Sequence, residues 1–154
     1  MQELNEVTSN AIEGGCRCGA VRYSLAVDKL PRGYACHCHQ CQRWSGSAFS
    51  LQVMVPESVL IVRGELTLYE LTTADRTSRQ RFCAACHGRI FNTNTRRPGL
   101  AVLRAGTLDR SEELECALHI YVAYRQRWFQ LPSDVPSYPE MAPPEAFMEA
   151  LSKQ

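Results

Sequence analysis

Seven of the eight cysteines fall into three tight groups: Cys16-Arg17-Cys18, Cys36-His37-Cys38-His39-Gln40-Cys41 and Cys83-Ala84-Ala85-Cys86. That spacing is metal-ligand arithmetic. Seven thiolates complete one closed zinc site of four and leave three for a second site. A closed four-sulfur site is structural, whereas one with three protein ligands keeps a position for water or substrate. The count implies a scaffold metal beside a working metal.

A disulfide framework is the competing reading, and the compartment decides between them. Met1 to Asn10 is polar, without the apolar stretch of a secretory signal, and no run approaches the roughly 18 apolar residues of a membrane span. The expectation is a cytoplasmic protein with no membrane partner, where clustered thiols stay reduced and bind metal. Close pairs such as Cys16 and Cys18 are also better placed for chelation than for the strict dihedral of a disulfide.

The central group carries the sharper chemistry. Three thiolates on Zn²⁺ leave a net charge of minus one, which makes the metal a poor generator of hydroxide and disfavours hydrolysis. The same site can take a fourth thiolate from a small-molecule thiol, ionised by coordination and so nucleophilic at neutral pH. Alternatively His37 or His39 completes a second closed site. In an extended segment, alternation turns both histidines away from Cys36 and Cys38. Cys83-x-x-Cys86 reads as a knuckle turn, which needs positive φ just after its second cysteine; His87 stands there, and Gly88 follows. Its partner is Gly14-Gly15-Cys16-Arg17-Cys18-Gly19, giving four sulfurs from two distant segments, a staple across the domain.

The elements that must position these thiols read as short strands. Val21–Val27, Ser50–Val55 and Leu66–Leu71 alternate as half-buried strands. Further strand candidates are Val59–Val62, Arg89–Phe91, Leu100–Leu103 and Leu118–Val122, with turn residues between them. Helix is scarce: a turn or two near Cys41 to Trp44, and Pro144 to Lys153 with Pro144 at the helix start. Leu131 to Pro144 holds five prolines and reads as an extended strap. The chain is therefore mostly β, in one domain of 154 residues. A polar tail (1–11) precedes the zinc-binding domain (12–140), and a helical tail (141–154) follows. The net charge of +1 gives no electrostatic footprint for nucleic acid. Arg76, Arg79, Arg81 and Arg89 bracket Cys83 and Cys86 and read as compensation for four thiolates.

Taken in order, Gly14 to Tyr23, Cys36 to Gly46 and Phe82 to Cys86, then Gly106-Thr107-Leu108-Asp109 and His119 to Val122 through Trp128-Phe129, resemble the glutathione-dependent formaldehyde-activating enzyme family over roughly residues 12 to 140. The family also includes relatives of centromere protein V. The resemblance implies a β-tent fold, a structural zinc on Cys16, Cys18, Cys83 and Cys86, and a second zinc on Cys36, Cys38 and Cys41. It further implies a carbon-sulfur lyase that combines glutathione and formaldehyde into S-hydroxymethylglutathione. This chain departs from the family pattern at His39, where a serine is common, and at His87, where a glycine is common.

The expected site then has Cys36, Cys38 and Cys41 holding the working metal and presenting the thiol. His39 or His37 serves as proton donor, and Arg43 and Trp44 lie beside the glutathione. Partners are a small thiol and a small aldehyde. The alternative is a zinc-stapled binding module without catalysis, with a protein or nucleic-acid partner. Cys116 reads as a small buried apolar residue, His119 as a satisfied core or edge histidine, and Trp128 and Phe129 as cover for the core.

Overall fold

The computed structural model describes residues 11–153. The expected polar segment 1–11 lies outside the described residues except for its last position. Among the described residues ten strands form two sheets, with two short α-helices and four 3₁₀ turns.

The smaller sheet is antiparallel, ordered β1 (Ile12–Gly15), β2 (Arg22–Leu25), β5 (Leu60–Arg63). The larger holds β3 (Gly33–Cys36), β4 (Ser50–Pro56), β6 (Leu66–Thr72), β7 (Thr77–Cys83), β8 (Arg89–Asn94), β9 (Leu100–Arg104) and β10 (Cys116–Ile120). Its order is β10-β3-β4-β9-β8-β7-β6, antiparallel throughout except for the parallel pair β10–β3. The mostly β expectation holds.

Alternation along the central strands divides two buried layers. Val53, Val55, Ala101, Leu103 and Phe91 join Ile12, Tyr23 and Leu25 of the small sheet in one core. Tyr34, Cys36 and Val102 join Leu118, Ile120 and the C-terminal helix in another. That helix, α2 (Pro144–Ser152), begins with Pro144 in its first turn as expected, and it seats Phe147 edge-on against Tyr34 at 4.9 Å. Both faces of the sheet's central strands are thereby covered, so Ser50 and Gln52 of β4 lie inside the protein.

Three strands carry little apolar alternation and escape a sequence reading: Ile12–Gly15, Gly33–Cys36 and Thr77–Cys83. The run Leu66–Leu71 is a strand, but not the half-buried one its alternation predicts. It is the sheet edge, paired on one side only, with Leu68 and Tyr69 about half exposed. The proline strap does run extended. It lies beside β10: His119 N–H donates to the Pro136 carbonyl at 2.9 Å, Tyr138 N–H to His119 at 3.0 Å and Tyr121 N–H to Glu140 at 3.0 Å. Trp128 departs from expectation, being 69% exposed and resting on Phe129, which alone turns inward. No helix among the described residues is long and apolar enough to cross a membrane.

Candidate metal centres and active site

The fold brings Cys16, Cys18, Cys83 and Cys86 together, with sulfurs within 4.8 Å of one another. Cys16 Sγ lies 3.5 Å from Cys18 Sγ, and Cys18 Sγ lies 3.8 Å from Cys83 Sγ. Four sulfurs placed about 2.3 Å from a shared tetrahedral ion stand roughly 3.8 Å apart, so the donor set fits such an ion. Two hairpin-like turns make this possible. In the first, Val21 N–H donates to Cys16 Sγ at 3.2 Å, and Gly19 takes φ of 83° to close the turn. In the second, Ala85 and Cys86 N–H groups both point at Cys83 Sγ at 3.4 Å, while His87 N–H returns to the Cys83 carbonyl at 2.9 Å. His87 adopts φ of 61°, the left-handed conformation that the knuckle predicts at that place. Backbone donors aimed at sulfur favour the thiolate, and the Val21 N–H is the main reason that Cys16 is pushed down to about 6.

Cys36, Cys38 and Cys41 form the second group, also within 4.8 Å. Cys36 ends β3. The chain then leaves the sheet and enters α1 (His39–Ser45), for which Cys38 is the N-cap, its sulfur accepting the Cys41 N–H at 3.3 Å. Gly46 closes the helix at φ 62°. A helix of seven residues is marginal by itself, so its caps matter. The three thiols share charge: hydrogen bonds from Cys36 and Cys41 hold Cys38 well below the usual thiol range, while Cys36 is pushed up beside them.

The switch from strand to helix at Cys38 separates the two histidines. His37 is fully buried among Phe49, Phe129 and His119, with Nε2 2.9 Å from His119 Nδ1, and burial pushes it down to about 4. His39 is carried out to solvent and meets Tyr124 edge-on at 5.3 Å. His119 is the satisfied core histidine expected. Cys116 is half-buried, its Sγ 3.8 Å from His119 Nε2, apart from both thiol groups.

Open clefts flank α1. One of about 530 Å³ is lined by His39, Gln42, Arg43 and the Gly46–Ala48 turn with Gln126; another is lined by Gln40, Arg43 and Trp44. Arg43 is exposed and shared by both clefts. Trp44 packs on Phe82 and Tyr69, and the Arg89 guanidinium lies 4.5 Å over its ring. The basic group expected to serve the four-thiol site is thus divided: Arg79 pairs with Glu70 at 2.8 Å, and Arg89 turns toward α1.

Several neighbours of the second group escape a sequence reading. Gln52 Nε2 donates to Cys41 Sγ at 3.5 Å. Tyr121 holds φ of 57°, unusual for a bulky residue, and its half-buried phenol is pushed up by burial and by Cys36 and Cys38. Positive φ at a tyrosine has no periodicity to announce it.

A profile of the family described as "Glutathione-dependent formaldehyde-activating enzyme" matches residues 11–124. A Halomonas elongata protein described as "Putative glutathione-dependent formaldehyde-activating enzyme" is 24% identical over 131 residues, covering 79% of this chain and 82% of that protein. Among solved structures, a crystal structure of a Rhodobacter sphaeroides protein is 21% identical with a TM-score of 0.52, covering 81% of this chain and 98% of that one, and it supports the fold. With the profile spanning most of the described residues and both thiol groups, the chain belongs to the glutathione-dependent formaldehyde-activating enzyme family.

Proposed function

We propose that the protein is a zinc-dependent carbon-sulfur lyase that joins glutathione, or a similar thiol, to formaldehyde or another small aldehyde in a reducing cytoplasm. The observation that carries this is the unequal pair of thiol groups, four sulfurs at one place and three at the other. Cys16, Cys18, Cys83 and Cys86 would hold the structural ion; Cys36, Cys38 and Cys41 would hold the other, leaving a position for a substrate sulfur. Zinc bound there would keep that sulfur ionised at neutral pH.

The remaining work belongs to the chain. The thiolate sulfur attacks the aldehyde carbon, a C–S bond forms, and the carbonyl π electrons move to oxygen, which takes up one proton. The reverse reaction breaks the same C–S bond. The burial of His37 and its bond to His119 weigh against it as the donor. His39, exposed on the cleft wall, is the histidine left to exchange protons with solvent. Arg43, on the same wall, would pair with a glutathione carboxylate through its planar fork.

The test is calorimetric titration of zinc-loaded protein with reduced glutathione and with S-methylglutathione. The thiol should bind at least about tenfold more tightly, because a thioether cannot become an anionic ligand. Cys38→Ser should abolish protein-accelerated exchange of the hemithioacetal, followed by NMR at equilibrium, while one zinc equivalent and the fold remain. Equal binding of thiol and thioether, with exchange no faster than in buffer, would favour a stapled binding module instead.

A further inference from the structure

The face of the large sheet that carries Cys36 also carries a row of polar side chains. Strand register places Ser50 beside Cys36, Gln52 beside Tyr34, Arg104 beside Gln52, Asn92 beside Val102 and Gln80 beside Asn92. Ser50, Gln52 and Gln80 are buried. Buried polar groups cost stability unless bonded, so the row needs a reason.

Two guanidinium groups run through it. Arg104 Nη1 donates to Ser50 Oγ at 3.3 Å and Nη2 to Asn92 Oδ1 and to the Val102 carbonyl, while its Nε is buried without a partner. Arg89 donates from Nε and Nη2 to Gln80 Oε1 at 2.9 and 2.6 Å and lies over Trp44. Every one of these partners is neutral. Among the described residues carboxylates pair with Arg22, Arg32, Arg79, Arg96 and Arg110, and with neither Arg89 nor Arg104. Burial pushes Arg89 down to about 9, and repulsion from Arg104 adds to it. Two half-buried like charges are costly unless an anion stands close by.

The anion within reach is the three-thiol group. Gln52, paired in register with Arg104, touches Cys41 Sγ, and Ser50, which accepts from Arg104, is paired in register with Cys36. Trp44, beneath Arg89, follows Cys41 by one helical turn on α1. The fields of both cations act on Cys41. A divalent ion with three thiolates carries minus one, and with four it carries minus two. Two guanidinium groups carry plus two. Neutrality is reached only when the fourth ligand is itself an anion.

We propose that Arg89 and Arg104 are specificity-determining residues of the Cys36, Cys38 and Cys41 site, selecting an ionised thiol over any neutral fourth ligand through the field they set inside the sheet. This rests on the reading of that site given under Proposed function. The two residues position charge; they do not touch the reacting atoms.

The test compares wild type, Arg89→Gln and Arg104→Lys, all zinc-loaded, by calorimetry with 2-mercaptoethanol and its S-methyl ether. That thiol carries no carboxylate, so an effect on it is an effect at sulfur. Arg89→Gln should keep both metal equivalents and the wild-type circular dichroism, bind 2-mercaptoethanol about tenfold more weakly, and bind the thioether unchanged. The pH of half-maximal thiol binding should rise by about one unit, a readout that a purely structural role would not move. Arg104→Lys, which keeps the charge, should retain wild-type selectivity. An unchanged thiol-to-thioether ratio in fully loaded Arg89→Gln overturns the proposal. So does a loss confined to glutathione with 2-mercaptoethanol unaffected, which would make Arg89 a carboxylate clamp. If Arg89→Gln loses metal, Arg89→Lys must restore both metal and selectivity, and its failure counts against the proposal. A wild type that does not discriminate thiol from thioether is a separate result: it removes the lyase reading, whereas a wild type and variant that discriminate equally remove only this one.

Discussion

His87 holds φ at 61° because the turn after Cys86 must bring the Cys83 N–H back to the Gly88 carbonyl, a contact of 2.9 Å. Histidine tolerates that conformation at a cost of about 1 kcal/mol, and a β-branched residue tolerates it less. His87→Gly should therefore raise stability by up to about 1 kcal/mol, and His87→Val should lower it by about 1–2 kcal/mol, measured by urea denaturation of zinc-loaded protein. A stabilised valine variant would show that the turn is not under local strain. At this scale the thiols were legible because they fall in three short runs of sequence, Cys16–Cys18, Cys36–Cys41 and Cys83–Cys86, with spacings that no strand or helix core needs. Gln52 and Arg104 were not, since register across β3, β4 and β9 sets them on the face that carries Cys36, and no spacing along the chain encodes that register. His39 and His37 were legible as residues but not as a pair with separate fates, because the change from strand to helix falls between them, at Cys38.

Among the elements, α2 is attached through two buried side chains. Phe147 and Ala150 are its buried residues, and Arg32 Nη1 donates to the Ala150 carbonyl at 2.7 Å. Phe147 is 2% exposed and also lies under Arg97. Phe147→Ala should cost about 3–5 kcal/mol, the range for removing a buried aromatic side chain, and urea denaturation followed by tyrosine fluorescence would register it. A loss below about 1 kcal/mol would mean that α2 contributes little to the core around Tyr34. Element type was readable for β4 and β9, where apolar residues recur, and for α2, where Pro144 marks the start. It was not readable for β7, whose Thr-Ser-Arg-Gln-Arg run lacks apolar alternation and fills its buried position with Gln80. Leu68 and Tyr69 mislead in the opposite sense: alternation marks a strand but does not say whether a second layer covers it.

For the whole molecule, the two thiol groups sit at different kinds of junction. The four-thiol group joins the small sheet's first turn to the end of β7, so it ties the two sheets together; the three-thiol group closes only the step from β3 to α1. Under the proposed zinc assignment, a mild chelator should remove metal in two steps. The first equivalent should leave circular dichroism unchanged, and the second should unfold the domain. Cys83→Ser should lose one equivalent and melt at a sharply lower temperature, since structural zinc binding is coupled to folding. A single step by element analysis, or unchanged melting in Cys83→Ser, would remove the distinction between scaffold and working site.

The two groups also differ in when they can exist. Cys36 to Cys41 spans six residues and is complete once the forty-first residue has been joined, whereas Cys18 and Cys83 are 65 positions apart and their group must await Cys86. At roughly 5–20 residues per second of synthesis, the interval between the two is about 2–9 s. Closing the longer loop also carries an entropic cost that the local group avoids. A growing chain therefore has all three thiols of the site proposed for chemistry before it has all four of the site proposed for architecture, and under the zinc assignment the first would be open to metal while the second was still incomplete.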